Sequence, residues 1–352
     1  MSKSTTEPDS SGFELLSNCT TVTQMISFHP VYRVAQIYQF LVACFAFPPL
    51  FYFIFFKLIK SSFHGNLKCV LIGYFVTVLA FTINFQIVGF VQVLLPFISR
   101  TPCDLIINGR YLKYGHPTGS FIMTLSTLLP ICITIERFFA MKNAETYEKT
   151  PVKLGPIITF LLIIIDLTTV SMIHRNSNFD AGSISFVIFP SLEVGLTMMK
   201  FFIIIVIFNV INFLFNIKLI RDNAKLKSIN STLSTKFQLE EVYFSTMFVI
   251  TVVFYHVAFF CSYIILVLTF LVVGPLLFNP IDVWAGNGIL MTIMATYNLV
   301  IGIVAVNLYN KIQTIKSEEL NGKVQIQTTG NTGAQNYVNV TNRIWNSNSI
   351  AP

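Results

Sequence analysis

The chain of 352 residues is 54% apolar and 11% charged, with a formal net charge of +7. A soluble domain contains about 25% charged residues, so this composition excludes a soluble protein and indicates an integral membrane protein. Its 23 Lys and Arg residues are scattered through short connections instead of forming a basic domain, which argues against a nucleic-acid partner.

Residues 1–33 form a polar N-terminal segment that lacks the apolar core of a signal peptide. We therefore expect the first membrane helix to act as its own targeting signal. Within this segment, Asn18, Cys19 and Thr20 form an N-glycosylation sequon. Use of the sequon would require this segment to be extracellular.

Seven apolar segments follow, and each is long enough to cross a bilayer, which takes about 20 residues as a helix. Only helices and closed barrels satisfy every backbone group in lipid, and these segments lack the strict alternation of barrel strands. The sequence therefore predicts an all-α membrane protein, a seven-transmembrane helix bundle over residues 34–308. The segments are 34–56, 69–95, 117–135, 154–173, 196–217, 242–273 and 283–308.

Two further regions are expected after the bundle. Ile312 and Ile315 are three residues apart, which predicts a short amphipathic helix over 309–324 on the inner leaflet. Residues 325–352 are rich in Asn, Gln, Thr and Gly, so we expect a disordered cytoplasmic tail.

The Lys and Arg residues also predict the orientation of the bundle. Most of them lie in the first, third and fifth connections and after the seventh segment, and cytoplasmic loops carry such an excess. The N-terminus is then extracellular and the C-terminus cytoplasmic. This orientation makes Asn18 accessible for glycosylation. It also places Cys19 and Cys103 on the oxidising side, where a disulfide between them is expected.

Five polar residues inside the apolar segments are candidates for a ligand pocket. Asp166 and Lys200 either pair across neighbouring helices or contact a charged ligand, and Lys200 alternatively extends its charge to the interface. His256 is either a hydrogen-bonded core histidine or a ligand contact. Asn84 and Asn287 either join helices by hydrogen bonds or face the ligand.

Several short motifs, in a particular order and spacing, carry a family resemblance. Over about residues 18–315 the chain resembles the nematode serpentine chemoreceptors of the Sra superfamily, most closely the alpha/beta class, Srab. These are G-protein-coupled receptors. The motifs are the segment 63–68, Pro102-Cys103-Asp104, Ile135-Glu136-Arg137 with Ala140, Tyr147-Glu148 and the segment 233–238.

The resemblance implies a chemosensory receptor in the plasma membrane, in the sensory cilia of chemosensory neurons. Its partners would be a small extracellular ligand, a heterotrimeric G protein and the lipid bilayer, with no cofactor or metal. In rhodopsin-like receptors the Arg that ends the third helix pairs with an acid at the inner end of the sixth. The resemblance thus implies a switch in which Arg137, beside Glu136, contacts Glu240 or Glu241. The alternative is that both acids are solvated.

Basic residues of the predicted cytoplasmic connections are candidates for contact with the G protein. The alternative interpretation is attraction to the anionic inner leaflet, and the two are compatible. The candidates are Lys142, Lys149, Lys225 and Lys227.

Other functional classes are less consistent with the sequence. We find none of the nucleophile, metal-hydrolase or phosphate-loop motifs of enzymes, and no internal repeat typical of a transporter. The remaining alternative is a ligand-gated seven-helix channel of inverted topology. Such a channel would place Asn18 in the cytosol, and the distribution of positive charge argues against it.

Overall fold

The structure is a computed structural model that describes residues 21–143, 147, 151–177, 179, 183, 192–228, 233–323, 334–335 and 337–339. Predictions for Asn18, Cys19 and Lys149 therefore lie outside the described residues. The side chain of Lys227 also lies outside the part that the structure describes.

A short helix, α1, precedes seven long helices, and within the described residues these seven are long and apolar enough to span a membrane. The predicted helical bundle is thereby confirmed, with spans one to seven corresponding to α2 to α8. The helices are α1 (Thr21–Ser27), α2 (Pro30–Tyr52), α3 (Gly65–Ile98), α4 (Gly109–Lys142), α5 (Leu154–Ile173), α6 (Leu192–Ser228), α7 (Leu233–Leu277) and α8 (Pro280–Lys323).

The bundle has two ends. We call them the α1 end, where α1 and the start of α2 lie, and the Arg137 end, where α4 finishes. α4 is the central helix, because it packs against α3, α5, α6 and α7. A π-helical turn, Phe53–Leu58, follows α2 at the Arg137 end, and a 3₁₀ turn, Pro102–Leu105, links α3 to α4 at the α1 end.

The chain divides into two compact units, Met1–Val306 and Asn307–Pro352. The first unit contains α1 to α7 and the part of α8 up to Val306. In the second unit, the segment expected to form a short amphipathic helix is helical as far as Lys323, as the continuation of α8. Its placement on a membrane leaflet stays a prediction.

Aromatic rings fill the core between α3, α7 and the π-helical turn that follows α2. The ring of Phe53 lies 4.6 Å from that of Phe75 and 5.8 Å from that of Phe248, and all three side chains are fully buried. Each such ring contributes a large apolar area, and tilted and offset contacts of this kind are favourable. These buried rings pack between helices, whereas other Phe side chains, such as Phe45 and Phe160, are exposed on the outside of the bundle.

Close approach of α3 and α5 depends on a glycine. A Cβ built on Gly155 would overlap the backbone carbonyl of Asn66 at the start of α3. At the same point the Asn66 side chain accepts a hydrogen bond from the backbone N–H of Gly155, at 3.1 Å. The absence of a side chain at Gly155 thus lets the first turn of α5 dock directly onto α3.

Arg33 compensates for a proline within α3. Pro96 has no N–H, so the carbonyl of Gln92 loses its helical donor. The guanidinium of Arg33 donates to that carbonyl and to the carbonyl of Val93, both at 2.9 Å, and lies over the ring of Phe97 at 5.4 Å. Arg33 thereby ties the start of α2 to the end of α3.

Candidate functional site

A buried ion pair lies at the Arg137 end of α4. Arg137 donates from Nε to Glu136 Oε2 at 2.6 Å and from Nη2 to Glu136 Oε1 at 2.8 Å. The side chains are 2% and 0% exposed, respectively. A charge in such an interior requires a partner, and the fork of Arg matches a carboxylate on two hydrogen bonds at once. The pair can therefore stay charged inside the bundle.

The third arm of the guanidinium reaches the neighbouring helix. Arg137 Nη1 donates to the hydroxyl oxygen of Ser245 on α7 at 2.5 Å. Ser245 in turn bonds back to carbonyls of its own helix, those of Glu241 at 2.8 Å and Val242 at 3.0 Å. This contact makes Arg137 a direct link between α4 and α7.

Tyr147, in the connection after α4, completes the arrangement. Its hydroxyl donates a short hydrogen bond to Glu136 Oε1, and its side chain packs against Ala140 and Val242. Burial and the nearby Glu136 carboxylate hold the pKa of Tyr147 above its usual value, so the phenol stays a neutral donor. We call Glu136, Arg137, Tyr147 and Ser245 the Arg137 cluster.

The cluster differs from the predicted switch. The ion pair that the structure describes for Arg137 is with Glu136, not with Glu240 or Glu241. Glu241 still attracts the guanidinium through space. Arg137 pairs with Glu136 because the Glu136 carboxylate is as buried as the guanidinium. It accepts two hydrogen bonds from Arg137 without any rearrangement of α7. On α7, Arg137 instead contacts Ser245, which lies one helical turn after Glu241.

Sequence reasoning missed the roles of Ser245 and Tyr147. The Tyr147-Glu148 motif marks the family resemblance, and its position shortly after Glu136 was a usable signal. Ser245 has no comparable sequence signal.

Of the predicted G-protein contacts, Lys142 and Lys225 have exposed side chains.

A cavity of about 70 Å³ lies among α2, α3, α4, α6, α7 and α8. Its lining residues come from the parts of these helices nearer the α1 end. We call it the six-helix cavity. The lining residues used below are Gln39, Asn84, His116, Gly119, Ser120, Tyr263 and Met291.

One member of a buried histidine pair, His116, lines this cavity. His174, which caps the end of α5, donates from Nδ1 to the carbonyl of Val170 at 3.0 Å. A neutral ring then has an acceptor at Nε2, and His116 Nδ1 lies 3.2 Å from it. Burial lowers the pKa of His174, and the bond to Val170 opposes part of that shift. The sequence analysis did not select either histidine.

Asp166 and Lys200 lie apart in the structure. Asp166 is fully buried and accepts a hydrogen bond from Thr124 on α4 at 3.0 Å, whereas the side chain of Lys200 is exposed. Among the described residues the two do not pair, and neither lines the six-helix cavity. Of the alternatives for these two residues, the pairing is thus not found among the described residues, where Asp166 is buried and Lys200 is exposed.

The other three candidates for the ligand pocket also lie in different parts of the bundle. Asn84 lines the cavity. His256 is a buried core histidine whose Nδ1 lies 2.9 Å from the hydroxyl of Tyr297, which also bonds Tyr74. Asn287 is partly exposed on α8 and is not among the lining residues. The structure thus brings only one of the five predicted ligand residues to this cavity.

Cys103, in the 3₁₀ turn at the α1 end, is disulfide-bonded, whereas Cys44, Cys69, Cys132 and Cys261 are free. Its expected partner, Cys19, lies outside the described residues, so the pairing stays a prediction. In the same turn, Asp104 accepts hydrogen bonds from the backbone N–H groups of Arg100 and Thr101. These bonds hold the pKa of Asp104 below its usual value.

Comparison with known proteins identifies the family. The model of the serpentine type 7TM GPCR chemoreceptor family Srb matches residues 28–260. The chain is 46% identical over 335 residues to serpentine receptor class beta-15 of Caenorhabditis elegans, covering 95% of this chain and 99% of the relative. It is 46% identical to class beta-7 over 333 residues (94% and 95%) and 34% identical to class beta-3 over 323 residues (92% and 94%), both from the same organism.

These matches confirm a nematode serpentine chemoreceptor and make the class more specific. The sequence motifs favoured the alpha/beta class, whereas the family match and the relatives are all of class beta. The channel and transporter alternatives are not favoured by this relationship. The chain belongs to the Srb family of serpentine seven-helix chemoreceptors.

Proposed function

We propose that this chain is a chemosensory receptor that binds a small extracellular cue and signals to a heterotrimeric G protein in the cytoplasm. In this proposal the α1 end is extracellular and the Arg137 end cytoplasmic. The receptor acts in the plasma membrane, in the sensory cilia of chemosensory neurons. The observation that carries the proposal is the hydrogen bond from Arg137 on α4 to Ser245 on α7.

This bond is suited to hold an inactive state. Arg137 is fixed to α4 by its bidentate pair with Glu136, so an outward movement of α7 breaks the bond to Ser245 without disturbing the ion pair. A coupling of about 1–3 kcal/mol between two sites is typical of regulated equilibria. Movement of α7 would also uncover the buried cluster to a cytoplasmic partner.

The basic side chains around the cluster provide the contact surface for that partner. Lys142 ends α4 and Lys225 lies near the end of α6, and both are exposed. Lys227 belongs to the last turn of α6, Lys149 to the connection after α4, and both complete the proposed surface. The same charges attract the anionic leaflet, which would hold this end of the bundle at the membrane surface.

Ligand-independent activation tests the proposal without a known ligand. The full chain is expressed in cultured cells with one Gα family at a time, and G-protein activation is measured at equal surface amounts. Ser245→Ala removes the acceptor for Arg137, and a loss of about 1 kcal/mol would raise the active population about fivefold. Basal activation should rise by that order with at least one Gα family.

Thr246→Ala is the matched control. Thr246 is the next residue on α7 and is also buried, but within the described part of the chain its hydroxyl bonds only the carbonyl of Val242 in its own helix, at 2.6 Å. The control should leave basal activation unchanged. If Ser245→Ala behaves like Thr246→Ala with every Gα family, the proposed switch is wrong.

The orientation has its own test. Treatment with N-glycosidase should shift the full chain on a gel, and Asn18→Gln should abolish the shift. An N-terminal tag should be reachable by antibody on intact cells. A tag that is protected until the cells are permeabilised would place the Arg137 end outside and contradict coupling to a G protein.

A further inference from the structure

The six-helix cavity has an uncharged wall. Among the residues that the structure describes, those lining it include no Asp, Glu, Lys or Arg. Its polar members are two amides, Gln39 and Asn84, the hydroxyls of Ser120 and Tyr263, and the imidazole of His116. The remaining lining residues are apolar or glycine.

The polar groups available to a ligand include the Asn84 amide and the Tyr263 hydroxyl. Asn84 and the hydroxyl of Tyr263 make no hydrogen bond to the residues that the structure describes, although both side chains face the cavity. By contrast, Gln39 Nε2 already donates to the carbonyl of Gly288 at 2.7 Å. A ligand that bonds Asn84 or Tyr263 would satisfy polar groups that are otherwise poorly solvated.

The charged residues of the spans discussed above, Asp166, Lys200, Glu136 and Arg137, do not line the cavity. Asp166 lies on α5 and bonds Thr124, Lys200 is exposed, and Glu136 pairs with Arg137 at the opposite end of α4. The histidine pair is satisfied with both rings neutral, since His116 bonds His174 and His174 bonds Val170. An ion entering the cavity would lose its hydration without gaining a counter-charge, which is strongly unfavourable in a buried site.

The volume limits the size of the occupant. The cavity of about 70 Å³ exceeds the roughly 10–15 Å³ that one water requires, so it has room for a small organic molecule. We infer that the six-helix cavity binds an uncharged, small organic molecule that carries one oxygen or nitrogen able to hydrogen-bond Asn84 or Tyr263. This inference deepens the proposed receptor function and rests on it.

The test measures which molecules enter the cavity. Ser120→Cys places a thiol in its wall with little change of shape. The full-length variant, purified in lipid nanodiscs, is treated at pH 6 with three methanethiosulfonate reagents of similar size. One carries a neutral 2-hydroxyethyl group, one an anionic 2-sulfonatoethyl group and one a cationic 2-ammonioethyl group. Labelling rates are read by mass spectrometry, after subtraction of labelling at the native cysteines of the parent chain.

Arg110→Cys is the reference, because residue 110 is exposed at the start of α4. Its rates report the intrinsic reactivity of each reagent. After division by these rates, the neutral reagent should label Ser120→Cys at least tenfold faster than either charged reagent. Met291→Cys, in the cavity wall on α8, repeats the measurement, so the result does not depend on the folding of one variant.

A second change tests the assignment to this cavity. A Cβ at Gly119 would lie 3.4 Å from Asn84 Nδ2, an ordinary contact, so Gly119→Ala reduces the space without a clash. Added to Met291→Cys, it should slow the neutral reagent several-fold. Equal normalised rates for neutral and charged reagents would overturn the inference. Preferential entry of the anionic reagent, which would indicate a cationic histidine pair, would also overturn the inference. A cavity closed to all three reagents would overturn it as well.

The labelling experiment and the signalling experiment can give negative results independently of each other. The cysteine experiment requires no G protein, and the Ser245→Ala experiment requires no ligand. Selective labelling without a change in basal activation would leave the cavity assignment intact and contradict the G-protein proposal. The reverse result would support the receptor and overturn the ligand class.

Discussion

Arg137 on α4 and Ser245 on α7 are joined by a hydrogen bond of 2.5 Å, although they are 108 residues apart in the chain. The bond exists because Glu136 holds the guanidinium in one orientation and leaves Nη1 pointing at the neighbouring helix. Loss of the Glu136 charge should therefore disturb both the ion pair and the link between helices.

Glu136→Gln should destabilise the bundle strongly. It keeps the shape of the side chain but leaves Arg137 buried without its counter-charge, a change that costs about 3–5 kcal/mol in buried pairs. We expect a large fall in the apparent melting temperature of the detergent-solubilised protein and in its surface amount. The double variant Glu136→Gln with Arg137→Met removes both charges and should recover part of the loss. A double variant no more stable than the single one would contradict this account.

Arg33→Gln should destabilise the α1 end of the bundle in a way that depends on Pro96. In the parent chain, Arg33 supplies the donor that Gln92 lacks because of Pro96. Pro96→Ala restores a backbone N–H to the helix, so the Gln92 carbonyl no longer needs Arg33. We expect Arg33→Gln to cost about 1 kcal/mol more in the parent chain than in the Pro96→Ala variant. Thermal unfolding of the four proteins measures this coupling, and strictly additive effects would refute it.

Gly155→Ala should be poorly tolerated, whereas Gly73→Ala should be neutral or stabilising. Both glycines lie where α3 and α5 meet. A Cβ at Gly155 would overlap the Asn66 carbonyl, but one at Gly73 would lie 3.4 Å from a methyl group of Thr159. Gly73→Ala also gains up to about 1 kcal/mol of helix propensity. Comparison of surface amounts and melting temperatures checks the difference, and equal behaviour would show that α5 can move away from α3.

Acid should weaken the folded receptor through His174. Burial lowers the pKa of this imidazole below its ordinary value of about 6.5, so the unfolded chain takes up a proton more readily than the folded one. The stability contribution is complete above pH about 6.5 and is lost as the pH falls from there towards the lowered pKa. His116 is the titratable group that faces His174, and it should respond in the same experiment.

The measurement compares melting temperatures at pH 7.5 and pH 5.5. His174→Gln keeps a side chain that can hydrogen-bond His116 but does not titrate. The variant should lose less stability than the parent on acidification, even if it is less stable at pH 7.5. Equal losses in the two proteins would assign the acid sensitivity to other groups.

The sequence by itself determined the class of the protein and the number of spans. Seven apolar segments without alternation leave only helices, because lipid offers no partner for an unpaired backbone group. The motifs around Glu136-Arg137 were sufficient to indicate a nematode serpentine chemoreceptor, and the family match confirms it. They were not sufficient to separate class beta from the alpha/beta class, because each motif is short.

Only the tertiary structure decided which polar side chains meet. Arg137 lies in a cluster with Ser245 and Tyr147, and its ion pair is not with Glu240 or Glu241. Asp166 accepts a hydrogen bond from Thr124 and does not pair with Lys200. The sequence shows that a polar residue lies within a span, but the residue that it contacts depends on the rotation of each helix about its axis. That rotation is set by packing over the whole length of the bundle, such as the contact of Gly155 with Asn66. The existence of each span can therefore be predicted from the sequence, whereas sites arise from the relative placement of several helices.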